Sequence, residues 1–164
     1  MNLLQQCAQE FNRLTAYQYH IIVGRKGKLL EFTISFEQAD FHHLAGRLTY
    51  KQAAQSAYFS AMEPRLKPLA HLEEFLDSNE IIFRYNAKIQ KFSVIQADYL
   101  LQNDFEEAPV YLFISQRTGR DTYVCRTFFP KAEKDYTEGQ PRYTLLKKEK
   151  STSPLGKPLS SMIG

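Results

Sequence analysis

Tryptophan is absent from this chain, cysteine occurs twice and histidine four times. Two thiols, Cys7 and Cys125, make no disulfide framework, and neither belongs to a C-x-x-C pair of the kind that holds a thiolate metal site. Both fall in segments of regular periodicity and are expected to be buried and reduced. Seven glycines and seven prolines are too few for a fibrous or disordered chain. No apolar run approaches the roughly 20 residues that a membrane helix needs. Met1 to Leu14 has neither a basic n-region nor a small-residue cleavage site, so it does not read as a signal peptide. These absences describe a cytosolic protein with no membrane association.

Familiar catalytic signatures are missing too. The Gly24-Arg25-Lys26-Gly27 stretch lies inside a hairpin pattern rather than before a helix, so it lacks the setting of a phosphate-binding loop. No nucleophile elbow and no paired-carboxylate motif occur. His20 and His71 show no metal-ligand spacing, and adjacent His42 and His43 do not converge on one ion. No metal and no cofactor are expected.

What remains is a chain of 164 residues, enough for one domain with a hydrophobic core. Its aromatic content comes from 12 Phe and 10 Tyr. The net charge of +3 is uneven: residues 1–114 carry 11 Lys/Arg against 13 Asp/Glu, and residues 115–164 carry 10 against 5. A basic half attracts a phosphate backbone, and it equally keeps a surface solvated.

Leu3, Leu4, Cys7, Phe11 and Leu14 recur at helical spacing behind Asn2, a natural N-cap. Tyr17 to Val23 and Lys28 to Phe36 alternate as a hairpin around the Gly24–Gly27 turn. Asp40 can cap a short helix through Phe41-His42-His43-Leu44. Thr49 and Gln52 suggest a capping box for a second helix ended by Pro64, and Pro68 opens a third through Leu76. Strands follow: Ile81–Tyr85 and Lys88–Ile95 around Asn86-Ala87, Val110–Ser115 and Thr122–Phe129 around Thr118-Gly119-Arg120, and Tyr143–Lys147. The expected fold is α+β: helices gathered on one face of a C-terminal antiparallel sheet of about four strands, with an additional N-terminal hairpin. Residues 1–150 form the domain, and 151–164 read as a flexible tail.

Two clusters can carry chemistry. His42 and His43 lie in the first turn of a capped helix, where the dipole disfavours imidazolium and leaves a neutral ring able to act as a base. Successive helical side chains point about 100° apart, so one of the two faces a given surface. Equally, both rings can simply cap or pack. The second cluster is the late basic run: Arg126, Lys131, Lys134, Arg142, Lys147 and Lys148. Alternation puts Arg126 on a face with Val124. There its planar fork can hold a phosphate, with Thr127 and Thr144 hydroxyls donating beside it, or it can pair with a cross-strand carboxylate. Tyr136 and Tyr143 suit stacking on bases and suit a core rim equally well.

Several stretches resemble one family, in order along the chain. They are the hairpin into Phe41-His42-His43-Leu44-Ala45-Gly46, and Leu76-Asp77-Ser78-Asn79 running into Ile82-Phe83-Arg84-Tyr85-Asn86. Phe92 to Leu101 follows, then Cys125-Arg126-Thr127-Phe128-Phe129-Pro130-Lys131, Asp135-Tyr136-Thr137 and Tyr143 to Lys148. Together they resemble the phage-associated Barnase/EndoU/colicin/RelE-like (BECR) nuclease family, fourth subgroup. Two departures are mild: Arg47 follows Gly46 where an apolar residue is expected, and Thr127 stands for Ser. The resemblance implies a metal-independent endoribonuclease of phage or mobile-element origin, toxin-like and cytoplasmic. RNA would be its partner, and an immunity or inhibitor protein a further one. It implies His42 or His43 as general base or acid, and Arg126 and Lys131 stabilising the transition-state charge. Thr127, Tyr143 or Thr144 would position the phosphate, and Tyr136 would contact the substrate.

Three functions follow: an endoribonuclease, a nucleic-acid-binding module without turnover, or a domain docking an acidic protein. A histidine and Arg126 lining one cleft would favour the first.

Overall fold

The computed structural model describes residues 2–45, 56–89 and 95–154, with backbone alone over 56–61. Helix α1 spans Leu3–Leu14. Asn2 caps it as expected: the Gln5 amide donates to Asn2 Oδ1 at 2.8 Å, and the Asn2 amide donates back to Gln5 Oε1 at 3.0 Å. The helix buries Leu4, Cys7, Phe11 and Leu14. Strands β1 (Tyr17–Arg25) and β2 (Lys28–Ser35) follow. Their turn is tighter than the glycine spacing suggests. Gly24 pairs with Leu29 inside the ladder, and only Lys26 and Gly27 turn, at φ 49° and 79°.

A 3-10 turn at Gln38–Asp40 leads into α2, Phe41–Ala45. The second helix expected from Thr49 and Gln52 begins outside the described residues. Helix α3 is described over Ser56–Leu69, and it runs through both Pro64 and Pro68. Each proline removes one helical hydrogen bond. The fully buried Leu66 and Leu69 hold the helix against the core nonetheless. Pro68 therefore closes this helix rather than opening the next, α4, which spans Leu72–Ser78.

The sheet is the main correction. Seven strands, in the order β1-β2-β6-β5-β4-β3-β7, close into a barrel, so the N-terminal hairpin belongs to the same sheet as the late strands. The others are β3 (Ile81–Arg84), β4 (Tyr99–Phe105), β5 (Ala108–Gln116), β6 (Tyr123–Pro130) and β7 (Arg142–Thr152). Closure comes from β7, long enough to pair with β1 along its length and with β3 through Tyr143 and Arg142. Residues 151 and 152, expected in a tail, are strand, and the Ser153 amide donates to Ala16 O at 2.8 Å. The expected strand at 88–95 is absent from its described part, because Ala87–Ile89 is a 3-10 turn. Gln140 exchanges both amide hydrogen bonds with the Asn86 backbone, which ties that turn to the loop before β7. Besides β7, the antiparallel partner of β3 is β4.

Two apolar cores result. The larger merges the helices' buried faces with the inward residues of the barrel. The smaller is aromatic and lies on the opposite face of β3–β6, around Phe83, Tyr85, Leu100, Tyr111 and Phe113. Both thiols are free and buried, as expected. Burial pushes Cys7 up to about 12 and raises Cys125 further still, so neither is a ready nucleophile.

Candidate nucleic-acid site

The barrel has one weak seam. β2 meets β6 through a single parallel pair, Ile34 and Tyr123. Beyond it, β6 bonds to β5 alone among the described residues, and helices α2 and α3 lie against it. Covering an open strand edge with helices protects it from pairing with other chains. Here it also brings side chains of α2 and of the described part of α3, Arg65 among them, onto the late strand.

Helix α2 is pinned from its N-terminal side. The Glu37 amide donates to Asp40 Oδ2 at 2.8 Å, closing the 3-10 turn. Arg117, at the end of β5 and 7% exposed, grips the same carboxylate with both terminal nitrogens, at 2.9 and 2.6 Å. It also donates to Ser35 Oγ and Ser35 O at 2.9 and 2.8 Å. Burial pulls the Arg117 pKa down. Asp40, with help from Glu37, outweighs this and raises it. Arg120 donates to Glu37 at 2.8 Å on the exposed side. With Phe41 against Phe11 and with Leu44 and Ala45 buried, the rotation of α2 is set. His42 then faces solvent and His43 faces β6.

A β-bulge turns Arg126 toward it. In the β5–β6 ladder Phe113 pairs with Thr127 and Ile114 with Cys125, so Arg126 has no partner. Cys125 and Phe128 both belong to the helix-side core, although regular alternation would separate them. The extra residue lets Cys125 and Arg126 project to the same side, while Thr127 shares the opposite face with Phe113. The expected sharing of one face by Arg126 and Val124 is thereby broken. Arg126 Nη1 lies 3.4 Å from His43 Nε2, across 83 positions of sequence. A guanidinium only donates, so in this contact the ring nitrogen facing it is placed as the acceptor.

The other proposed contacts do not gather there. Thr127 faces away from His43. Lys131 is exposed just past the end of β6, close enough to Asp135 to lower its pKa, behind the larger hydrogen-bond effect of Thr137. Tyr136 packs edge-on to Tyr111, Phe113 and Phe129 in the aromatic core. Tyr143 is 6% exposed in the main core. Thr144 is exposed on β7 opposite Gly24. β6 and β7 are separated by three strands in one direction and two in the other, so their outward-facing residues do not lie side by side, although inward ones such as Phe128 and Tyr143 join one core. The basic run of β7 serves the fold instead. Lys148 Nζ donates to Leu76 O at 2.7 Å and to Asn79 O, closing the C-terminal end of α4. Lys150 pairs with Glu73 and Asp77.

Two residues at the seam escaped sequence reasoning. Arg117 is one. The other is Arg65 on α3, whose Nε donates to Phe128 O at 3.1 Å on the open edge of β6. Neither belongs to a local motif, since their partners lie 77 and 63 residues away.

Among the described residues, no three His, Cys, Asp or Glu side chains come together as metal ligands, and no helix is long and apolar enough to cross a membrane. Comparison with curated proteins and with solved structures finds no match. A family model described as phage-Barnase-EndoU-ColicinE5/D-RelE like nuclease4 matches residues 3–58 and 45–161, spanning the seam and nearly the whole barrel. The chain belongs to that family of BECR-type nucleases.

Proposed function

We propose that the protein is an endoribonuclease that cleaves at the α2–β6 seam, with its own cationic side chains neutralising the phosphate. The observation that supports this reading is the approach of His43 Nε2 to Arg126 Nη1 at 3.4 Å. A phosphodiester entering there meets an imidazole acceptor beside a guanidinium fork. His43 removes the proton of the ribose 2′-OH. The 2′-oxygen bonds to phosphorus and the 5′-oxygen leaves, taking a proton from solvent. The products are a 2′,3′-cyclic phosphate and a 5′-hydroxyl. Arg126 donates to the non-bridging oxygens as their charge grows. His42, exposed one position away, takes no part.

General-base groups contribute about 10²–10⁴-fold to rate. RNA incubated with the protein in EDTA should yield cyclic-phosphate ends. His43→Ala should lose activity within that range and His42→Ala should keep it. Undiminished cleavage by His43→Ala would sink the reading. A binding module without turnover is the second reading. It is favoured by the outward turn of Thr127, which leaves one proton acceptor and no hydroxyl donor from β6 at the site. It predicts salt-sensitive RNA binding with no cleavage.

A further inference from the structure

Four of the eight described arginines have carboxylate partners: Arg13 with Glu10 and Glu73, Arg84 with Asp98, Arg117 with Asp40 and Glu37, and Arg120 with Glu37; Arg25 and Arg142 have none among the described residues, and Arg25 donates instead to Arg142 O. Arg126 and Arg65, both at the seam, form no salt bridge among the described residues. The remaining segments cannot supply one from a side chain, because residues 46–55, 90–94 and 155–164 contain no Asp or Glu.

Arg65 is the more telling of the two. It is half-buried, and its bonding is one Nε donation to Phe128 O, with the guanidinium carbon 5.9 Å from the Phe129 ring centre. Burial alone lowers its pKa, with no acidic neighbour acting the other way. A guanidinium carries five N–H donors. Holding it partly desolvated on one carbonyl is unfavourable unless an anion completes it. The Nε bond fixes the plane of the fork and leaves the terminal nitrogens free of any other described partner.

The register supplies the spacing. Arg65 is anchored at Phe128, two residues along β6 from the bulged Arg126. Two strand residues cover about 7 Å, close to the step between neighbouring phosphates of an extended single strand. We propose that Arg65 is a phosphate-binding residue for the nucleotide next to the one at His43 and Arg126, so that a single-stranded RNA runs across the seam between these two subsites. This rests on the nuclease reading of the same seam. It adds a second phosphate subsite.

The test uses the His43→Ala protein, to prevent turnover, and RNA without terminal phosphates. A dinucleotide offers one phosphate and a trinucleotide two. A charge-assisted contact is worth about 1.5–3 kcal/mol, or about 10–100-fold. The trinucleotide should therefore bind at least about tenfold tighter than the dinucleotide. Arg65→Gln should remove that gain and leave dinucleotide binding unchanged. With a longer oligonucleotide, Arg65→Gln should flatten the slope of log K against log salt by about 0.7, the value of one single-strand phosphate. Equal binding of dinucleotide and trinucleotide overturns the subsite without needing any Arg65 variant to fold. An unchanged salt slope in a folded Arg65→Gln overturns it as well. If no RNA of any length binds, the nuclease reading fails first and takes the subsite with it.

Discussion

Replacing Arg117 by Ala would be the most severe single change in this molecule away from the apolar cores. The guanidinium makes four hydrogen bonds, two to Asp40 and two to Ser35, all at 2.6–2.9 Å. Its loss leaves the Asp40 carboxylate, 6% exposed, with only the Glu37 amide as a donor among the described residues. Removing one partner of a buried ion pair costs about 3–5 kcal/mol, because the survivor is a stranded charge. The exposed Arg120–Glu37 pair offsets little of this. For a chain of this size, about 2–4 °C of Tm accompanies each kcal/mol, so Arg117→Ala should melt about 6–20 °C lower. Urea titration should show the same loss as a lower midpoint with an unchanged slope. Adding Asp40→Ala to Arg117→Ala removes the stranded charge and should recover part of the loss. A drop under about 1 kcal/mol would refute the reasoning. So would a double variant in which the two single losses add in full.

Other outcomes follow from the same contacts. Glu106 and Glu107 form the β4–β5 turn at φ 51° and 65°, a region costing roughly 1 kcal/mol for a side-chain-bearing residue. Glu107→Gly should therefore raise stability by about that amount in urea titration. Phe113→Ala should cost about 3–5 kcal/mol by the same measure, because it empties the centre of the aromatic core. Burial lowers Lys148 to about 8 from an ordinary 10.5. The native state therefore sheds this proton first, and between those pH values the unfolded chain holds more protons. Stability should rise with pH across that window relative to Lys148→Met, and parallel pH profiles for the two proteins would contradict this.

Local signals in the sequence were strong where local chemistry decides the structure. Asn2 and Gln5 announce α1, and the Lys26-Gly27 turn with alternating neighbours announces β1 and β2. The β4–β5 hairpin was invisible because its turn is Glu106-Glu107, which carries none of the Gly, Asn or Asp that mark such turns. Strand β4 is buried through Tyr99, Leu100 and Leu101, so it shows no alternation. Closure of the barrel depends on β7 pairing with β1 over more than a hundred residues of separation, a relation no window of sequence contains.

The site was legible in the same partial way. The helix dipole and capping logic picked out His42 and His43, and the basic run picked out Arg126. Their meeting depends on a bulge that breaks the alternation on which the strand reading relied. Thr144 and Tyr143 resembled partners because they are close to the late run in sequence, yet the strand order sends β7 to the far side of the barrel. Arg65 and Arg117 carry no motif, and their roles come only from long-range partners.

The central claim is that His43 and Arg126 act on one phosphate, and a double-mutant cycle on the cleavage rate tests it most directly. Groups that work on the same phosphate should be strongly non-additive. His43→Ala with Arg126→Ala should be little slower than the worse single variant. Full additivity of the two losses, or no loss in either, would contradict the account.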